Sequence, residues 1–466
     1  MEPTDAEHCS SAHCFAYLVS LPKESLSHCD ATHRALRGPI IGRTGQRGVT
    51  DRSRRLPGEG GAPQVTRPGS VLTVEPPVRR GVIYSCRSEP VGALLASLAL
   101  ILSRPAARGA DSVDFKYENY REKDGRITVV TESSSVNEDV AAYGHIQLTG
   151  TIDAVAGATP TGQPAAPGTQ QVPLTEIHTR RKAWSGDYSE QIKSFNIDAA
   201  FAESRESDYV SWGWSVNTLT DFNEKNTTLR AGLAGNYDRV GVRFEPAYLP
   251  KHTNDAILGV TQLLNPTTFV TVNVTLGRST GYLSEPYKIV EKAIEILPNI
   301  YLREAFGENS PNARNRTSVF SSLNHSFAGT NGAVEASYRL YSDSYGIVAH
   351  TLQLAWLQHL GKRWVLQPSL RFYRQTSARF YYYNLDSTPV MPVHLPAGLA
   401  PYYSSDFRLS AEESTSYGLK ATWRVSDWMR LDGSYERYTL HGRDGVTPAS
   451  AYPCAGISTL GVEFLW

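Results

Sequence analysis

No stretch of this 466-residue chain is apolar over the roughly 20 residues that a membrane-spanning helix needs, which excludes a helical membrane protein. Charge of neither sign is in excess. The 46 Lys and Arg against 46 Asp and Glu leave no electrostatic footprint for nucleic acid. Cysteine is scarce and one-sided: Cys9, Cys14, Cys29 and Cys86 precede residue 90, and Cys454 stands alone in all that follows. No intramolecular disulfide can staple the later chain, and no Cys-x-x-Cys pair marks a structural zinc site. Methionine occurs only at Met1, Met391 and Met429.

Aromatics are plentiful by contrast, with 25 Tyr and 8 Trp. The segment Gly456–Trp466 shows how they are used. Leu460, Val462, Phe464 and Trp466 fall on one face of a strand and Thr459, Gly461 and Glu463 on the other. That is the alternation of a strand with lipid on one side and water on the other. This ending, with Phe464 and the terminal Trp466, resembles the membrane-insertion signal that many Gram-negative outer-membrane barrels present to their assembly machinery.

Upstream, Val91–Ser103 is a short apolar run with Arg79, Arg80 and Arg87 before it and the small residues Ala106–Ala110 after it. That is the layout of a secretory signal peptide, too short to span a bilayer comfortably. Residues 81–110 are therefore expected to be the signal peptide, cut after Gly109 with Ala107 two positions before it. Residues 1–80 show no sustained periodicity and read as disordered or as a mis-assigned upstream extension, which makes Val82 a candidate non-Met start. Gly42, Gly45 and Gly48 lack the preceding strand and the following Gly-Lys-Ser/Thr of a phosphate loop.

Residues 111–466 alternate throughout. Val270, Val272, Val274 and Leu276 oppose Thr271, Asn273 and Thr275; Val210, Trp212, Trp214 and Val216 oppose Ser211, Gly213 and Ser215. The pattern predicts strands near 112–121, 126–133, 140–155, 187–203, 208–220, 227–237, 240–248, 254–264, 269–278, 315–327, 332–342, 346–360, 364–376, 411–425, 428–440 and 456–466. About 16 strands (14–16) are expected in an all-β, transmembrane, antiparallel up-and-down barrel. The long connections 156–186, 279–314, 377–410 and 441–455 all follow odd-numbered strands, while those after even strands, such as Gly361–Arg363, are tight. Segregation of loop length by parity fits a barrel with short turns on one membrane side and long loops on the other. The expected location is the outer membrane of a Gram-negative bacterium.

Five segments carry a resemblance: Asp153–Gly162, Ser342–Thr351, Arg371–Gln375, Ala378–Tyr381 and Ser404–Ser410. Together and in this order they resemble a bacterial family of predicted outer-membrane β-barrel proteins catalogued as a domain of unknown function, over about residues 112–466. The resemblance implies a barrel and no established activity. Its genetic neighbourhood, with a small lipoprotein, a thioredoxin-like protein and a flavin-attaching transferase, implies envelope redox or export work.

Catalytic constellations are hard to build from these residues. An outer-membrane phospholipase needs Ser and His two apart on one strand face, but His325 and Ser326 are adjacent and His350 is followed by Leu352. His350 and His359 are an odd number apart and diverge as metal ligands. Asp406, His441 and Asp444 could meet at the barrel mouth in the manner of an omptin-like protease. No enzyme, cofactor or metal is expected.

The residues singled out are Glu335, Arg339, Arg371, Lys420, Arg424, Arg430, Asp432 and Glu436, which the alternation puts on lumenal faces. They either pair across strands to stabilise a wet interior or form a charged constriction that selects solutes. Two functional classes follow. One is a channel or a transport or export component with a polar lumen, passing small solutes or ions. The other is a non-conducting structural barrel that binds a partner, such as a periplasmic lipoprotein or a thioredoxin-like protein. Outer-membrane lipid and the barrel-assembly machinery are expected contacts in both.

Overall fold

The computed structural model describes residues 111–466 apart from 141–143, 166–167, 170, 243–246, 387 and 395–396. The expected signal peptide and the extension before it lie outside the described residues. The first nine strands are β1 (Ser112–Glu122), β2 (Ile127–Val140), β3 (Gly144–Pro160), β4 (Leu174–Ile192), β5 (Phe195–Arg205), β6 (Tyr209–Phe222), β7 (Thr227–Val240), β8 (Leu249–Asn265) and β9 (Thr268–Gly281). A hairpin follows, β10 (Ile289–Leu297) with β11 (Ile300–Gly307). The chain then resumes as β12 (Ala313–Phe327), β13 (Gly332–Asp343), β14 (Val348–Leu360), β15 (Trp364–Gln375), β16 (Glu412–Arg424), β17 (Met429–Gly442) and β18 (Cys454–Leu465).

All but the hairpin pair edge to edge into one closed antiparallel barrel of sixteen strands, each beside its sequence neighbour, with β9 next to β12. β1 closes the ring against β18, Val113 opposite Phe464. Closure removes every unpaired edge, so no backbone amide or carbonyl of the wall has to face hydrocarbon unpaired.

The period of two decides which side chains face out. Leu258 and Leu460 are 66% and 65% exposed, and Leu233, Leu276, Leu352 and Leu419 are also exposed. Their strand neighbours Asn217, Thr271, Asn273, Ser322 and Asn324 are buried inside the ring. A single-residue slip would exchange those sets, so each strand's register is strongly fixed. Stacked aromatics mark the end with the tight turns: Trp364 lies on Trp423 at 5.4 Å between ring centroids, and Trp428 on Phe464 at 6.2 Å.

The two rims differ. On one, turns such as 193–194, 266–267 and 361–363 join consecutive strands directly. The other carries 161–173, 282–312, 376–411 and 443–453, the segregation of loop lengths expected from the sequence.

The strand count agrees with expectation through two errors that cancel. The expected strand 187–203 is two strands, β4 and β5, turning at Lys193 and Ser194 with Lys193 at φ 59°. A two-residue turn without Gly, Pro or Asn leaves the alternation unbroken, so nothing in the pattern marks it. Of the expected strand 240–248, Val240 ends β7 and the described residues 241, 242, 247 and 248 are irregular. The expected loops 156–186 and 279–314 are also more ordered than predicted. β3 and β4 run on as a long ladder from Gly144–Glu190 to Pro160–Leu174, and the second loop contains the β10–β11 hairpin.

Candidate functional site

The barrel interior is polar because alternate residues of every strand point into it. The sequence-predicted set lies on this inward face: Glu335 and Arg339 on β13, Arg371 on β15, Lys420 and Arg424 on β16, and Arg430, Asp432 and Glu436 on β17. Each alternates with outward neighbours such as Tyr338, Phe372, Leu419 and Tyr435. Lys420 Nζ is 3.8 Å from Asp432, and Arg430 Nη1 is 2.7 Å from Glu463 on β18. Arg424 reaches Asp427 at 2.9 Å in the short turn after β16. The Arg339 guanidinium stands 5.3 Å from the centre of the Phe320 ring.

These residues do not form one ring. Glu335 sits opposite Ala355, Arg371 between Gln353 and Ser416, and Glu436 opposite Gly418, so the charges are spread along the wall. The opposite wall carries ion pairs that the sequence reading passes over: Asp153 with Arg181, Asp238 with Lys251 at 3.7 Å, and Asp255 with Arg316 at 3.0 Å. All stand at polar positions of the alternation, the signal that could have found them.

The long loops fold over and into their rim as a cap tied together loop to loop. Lys288 donates from Nζ to the Pro160 carbonyl at 2.6 Å, and Ile289 N–H to Thr161 O at 3.2 Å, joining 282–312 to the end of β3. Lys292 Nζ donates to the carbonyls of Leu385 and Thr388, each at 2.9 Å, joining the hairpin to 376–411. Ser410 Oγ meets the Tyr452 hydroxyl at 2.8 Å, joining 376–411 to 443–453. Val172 N–H donates to Ser450 Oγ at 3.1 Å and closes the circuit. Apolar clusters fill the space between: Tyr345, Ile347, Tyr373, Phe380 and Leu409 in one, and Val290, Phe306, Leu385 and Tyr403 in another.

A buried charge cluster sits at the centre of the cap. Arg408 Nε forks onto both Asp406 oxygens at 2.9 and 2.8 Å, and its Nη2 reaches Glu285 at 3.2 Å. Glu308 accepts from Ser404 Oγ and from the Glu285 amide. Burial, with Asp406 nearby, pushes the Glu308 carboxyl up to about 8. Burial pulls the Lys288 ammonium down to about 8, opposed by the Asp406 carboxylate. For Asp406 burial works upward, but Arg408 and Lys288 outweigh it and hold the carboxyl below its usual range.

Asp406, His441 and Asp444 share no hydrogen bond or ion pair. Asp406 is committed to Arg408, Asp444 accepts from Thr447, and His441 is exposed on β17. His350 meets the Tyr338 hydroxyl and His325 the Thr268 hydroxyl, both outside the lumen. Among the described residues no group of three or more His, Cys, Asp or Glu side chains is placed to hold a metal ion.

The family model described as "Protein of unknown function (DUF3570)" matches residues 93–247 and 247–450. The chain belongs to this family. No curated protein matches the sequence. Among solved structures, a bacterial polysaccharide outer membrane secretin is similar with a TM-score of 0.44 at 8% identity, over 78% of this chain and 100% of that one. The CymD monoaromatic hydrocarbon channel gives 0.36 at 9%, over 77% and 89%. The siderophore receptor PirA from Pseudomonas aeruginosa gives 0.36 at 12%, over 78% of this chain and 62% of the receptor.

The segments that carry the family resemblance converge on the cap. Asp343 and Tyr345 lie in Ser342–Thr351, Gln375 in Arg371–Gln375, Phe380 in Ala378–Tyr381, and Asp406 and Arg408 in Ser404–Ser410. Gln375 Nε2 donates to the carbonyls of Arg408 and Ser410 at 2.7 and 2.8 Å, and Tyr345 packs edge-on against Phe380 at 4.9 Å.

Proposed function

We propose that the protein is an outer-membrane channel or transport component. Its polar lumen opens toward the periplasm, and its own loops close it at the cell surface. One contrast carries this reading. In the long-loop half the interior is packed with apolar clusters and buried charge, whereas toward the short-turn rim the wall is lined by ion-paired side chains that still reach solvent. Lys420 keeps 29% and Asp432 15% of its side-chain surface. A wall of that composition is stable in water and costly in a dry, filled core. Small polar solutes or ions are the fitting cargo, and the cap is the element that has to shift for them to pass. On this reading the protein is a conduit and not an enzyme.

The tightness of the cap favours a second reading, a non-conducting barrel whose surface binds a partner, such as a lipoprotein or thioredoxin-like protein of the envelope. Planar-bilayer conductance of the full chain separates the two. Wild type is expected to conduct rarely, and Arg408→Ala, which removes the centre of the charge cluster, to conduct in long openings. A folded Arg408→Ala barrel with no conductance would establish the partner-binding reading instead.

A further inference from the structure

The outward face of β4 to β8 at the long-loop rim carries a pattern that neither a lumen nor a cap requires. Pairing across the strands aligns Lys182, Arg205, Val210, Arg239 and Pro250 in one continuous row. Arg180 stands two residues above Lys182 on the same face. The next row toward the barrel middle, in the same register, is Trp184, Glu203, Trp212, Tyr237 and His252. Trp212 stacks on Tyr237 at 5.7 Å, and Tyr237 lies 4.9 Å from His252. Phe201 and Trp214 occupy the row below that, and both are exposed. Cation, aromatic and apolar rows therefore follow one another in the order of a headgroup region, an interface and a hydrocarbon core.

The cations are available. Arg180, Lys182 and Arg239 are exposed, and the Arg205 side chain keeps 66% of its surface. Glu203, the acid within these rows, accepts from Arg205 Nε at 2.7 Å and from Trp184 Nε1 at 3.0 Å, which orients Arg205 along the row. The Arg239 guanidinium is held 5.2 Å over the Tyr248 ring. The asymmetry extends around the barrel: the other outward-facing cations of the described barrel strands, Arg121, Arg278, Arg374 and Arg437, also stand in the long-loop half.

We propose that this wall binds a phosphorylated glycolipid of the outer leaflet, its phosphates on the Lys182–Arg205–Arg239 row and its acyl chains against the aromatic and apolar rows below. Three strand spacings of roughly 4.8 Å separate Lys182 from Arg239, a width that a headgroup with a single phosphate cannot bridge and one with several can. The proposal rests on the outer-membrane placement, with the long loops at the cell surface.

The test uses full-length protein extracted in detergent and titrated in native mass spectrometry. Three probes are compared: diphosphorylated hexa-acyl lipid A, its monophosphorylated form and phosphatidylglycerol. Wild type should prefer the diphosphorylated lipid. Converting Arg180, Lys182, Arg205 and Arg239 to Gln should weaken that binding by about tenfold or more while Arg278→Gln/Arg374→Gln leaves it intact. Heat-modifiable gel migration reports folding; if the fourfold variant does not fold, the exposed pair Lys182→Gln/Arg239→Gln is read in its place. Unchanged binding by a folded variant, equal binding of phosphatidylglycerol, or an oligomer that only the variant loses would each overturn the proposal. Membrane fractionation tests the placement separately, because the micelle titration reads the row wherever the protein resides.

Discussion

Arg314 and Asp343 meet across the β12–β13 pair with neither side chain reaching solvent, the guanidinium donating from Nε to Asp343 Oδ2 at 2.8 Å. The same carboxylate accepts from the Tyr341 hydroxyl at 2.9 Å and from the amides of Tyr345 and Ile347 at 2.9 and 3.0 Å. One acid thus fixes a lumenal cation and the turn that enters the cap. Asp343→Ala leaves the buried Arg314 charge without this carboxylate and should cost about 3–5 kcal/mol, read as a lower urea midpoint of the folded barrel. Asp343→Asn keeps an acceptor for the two amides and should cost less. Equal midpoints for Asp343→Ala and wild type would show that the pair is not holding the rim.

The cap should loosen as pH rises from mildly acidic toward 8. Glu308 is raised in the folded cap, so its neutral form is favoured there. The stability it lends is full below the ordinary Glu value and is lost as pH climbs through about 8. Lys288 is depressed, so its contribution is present only above the ordinary Lys value and is lost as pH falls through about 8. The two losses overlap near pH 8. Hydrogen exchange of 282–312, corrected for its intrinsic pH dependence, should show less protection at pH 8 than at pH 5.5, and Glu308→Gln should flatten the difference. Protection that rises over this interval would contradict the assignment.

Cysteines introduced at Tyr301, Met391 and Val446, each at least 60% exposed in three different long loops, should be labelled on intact cells in a Cys454→Ala background. Cysteines at Lys362 and Asp427, in turns of the opposite rim, should be protected until the envelope is permeabilised. Labelling in the reverse order would invert the barrel. Asn309 is an unsuitable position despite lying in a long loop, because it is fully buried and its side chain donates to the carbonyls of Leu399 and Pro401.

In a barrel opened by Arg408→Ala, replacing both Arg339 and Arg371 with Ala should move the reversal potential in a salt gradient toward cation selectivity, since positive charge lining a passage favours anions. No shift in an open channel would place the narrow part of the lumen elsewhere on the wall.

The legible parts of this fold are those governed by period. The outward set Val270, Val272, Val274 and Leu276, the seam residues Leu460 and Phe464, and the parity of the loops all follow from one side of each strand meeting lipid. The Lys193–Ser194 turn was illegible because it interrupts no alternation. The β10–β11 hairpin had a signal in Pro298–Asn299 between the Ile- and Val-containing run Ile289–Leu297 and the apolar Ile300–Leu302, but it was hidden by its place inside a long connection. The cap cluster had little: the β10–β11 hairpin sets Lys288 beside Glu308, whose N–H donates to the Lys288 carbonyl at 3.3 Å, but Arg408 comes from the distant, aperiodic segment 376–411 and reaches them only when the loops fold over the rim.

The hairpin also has a mechanical consequence. Its tip, Leu297 and Ile300, projects freely, while its base is gripped on one strand by Lys292 and on the other by the Arg303–Asp386 pair at 2.9 Å. A lateral load applied at the tip is therefore delivered by leverage to Leu385, Asp386 and Thr388. Whatever grasps those few exposed side chains pulls on both of the longest loops at once.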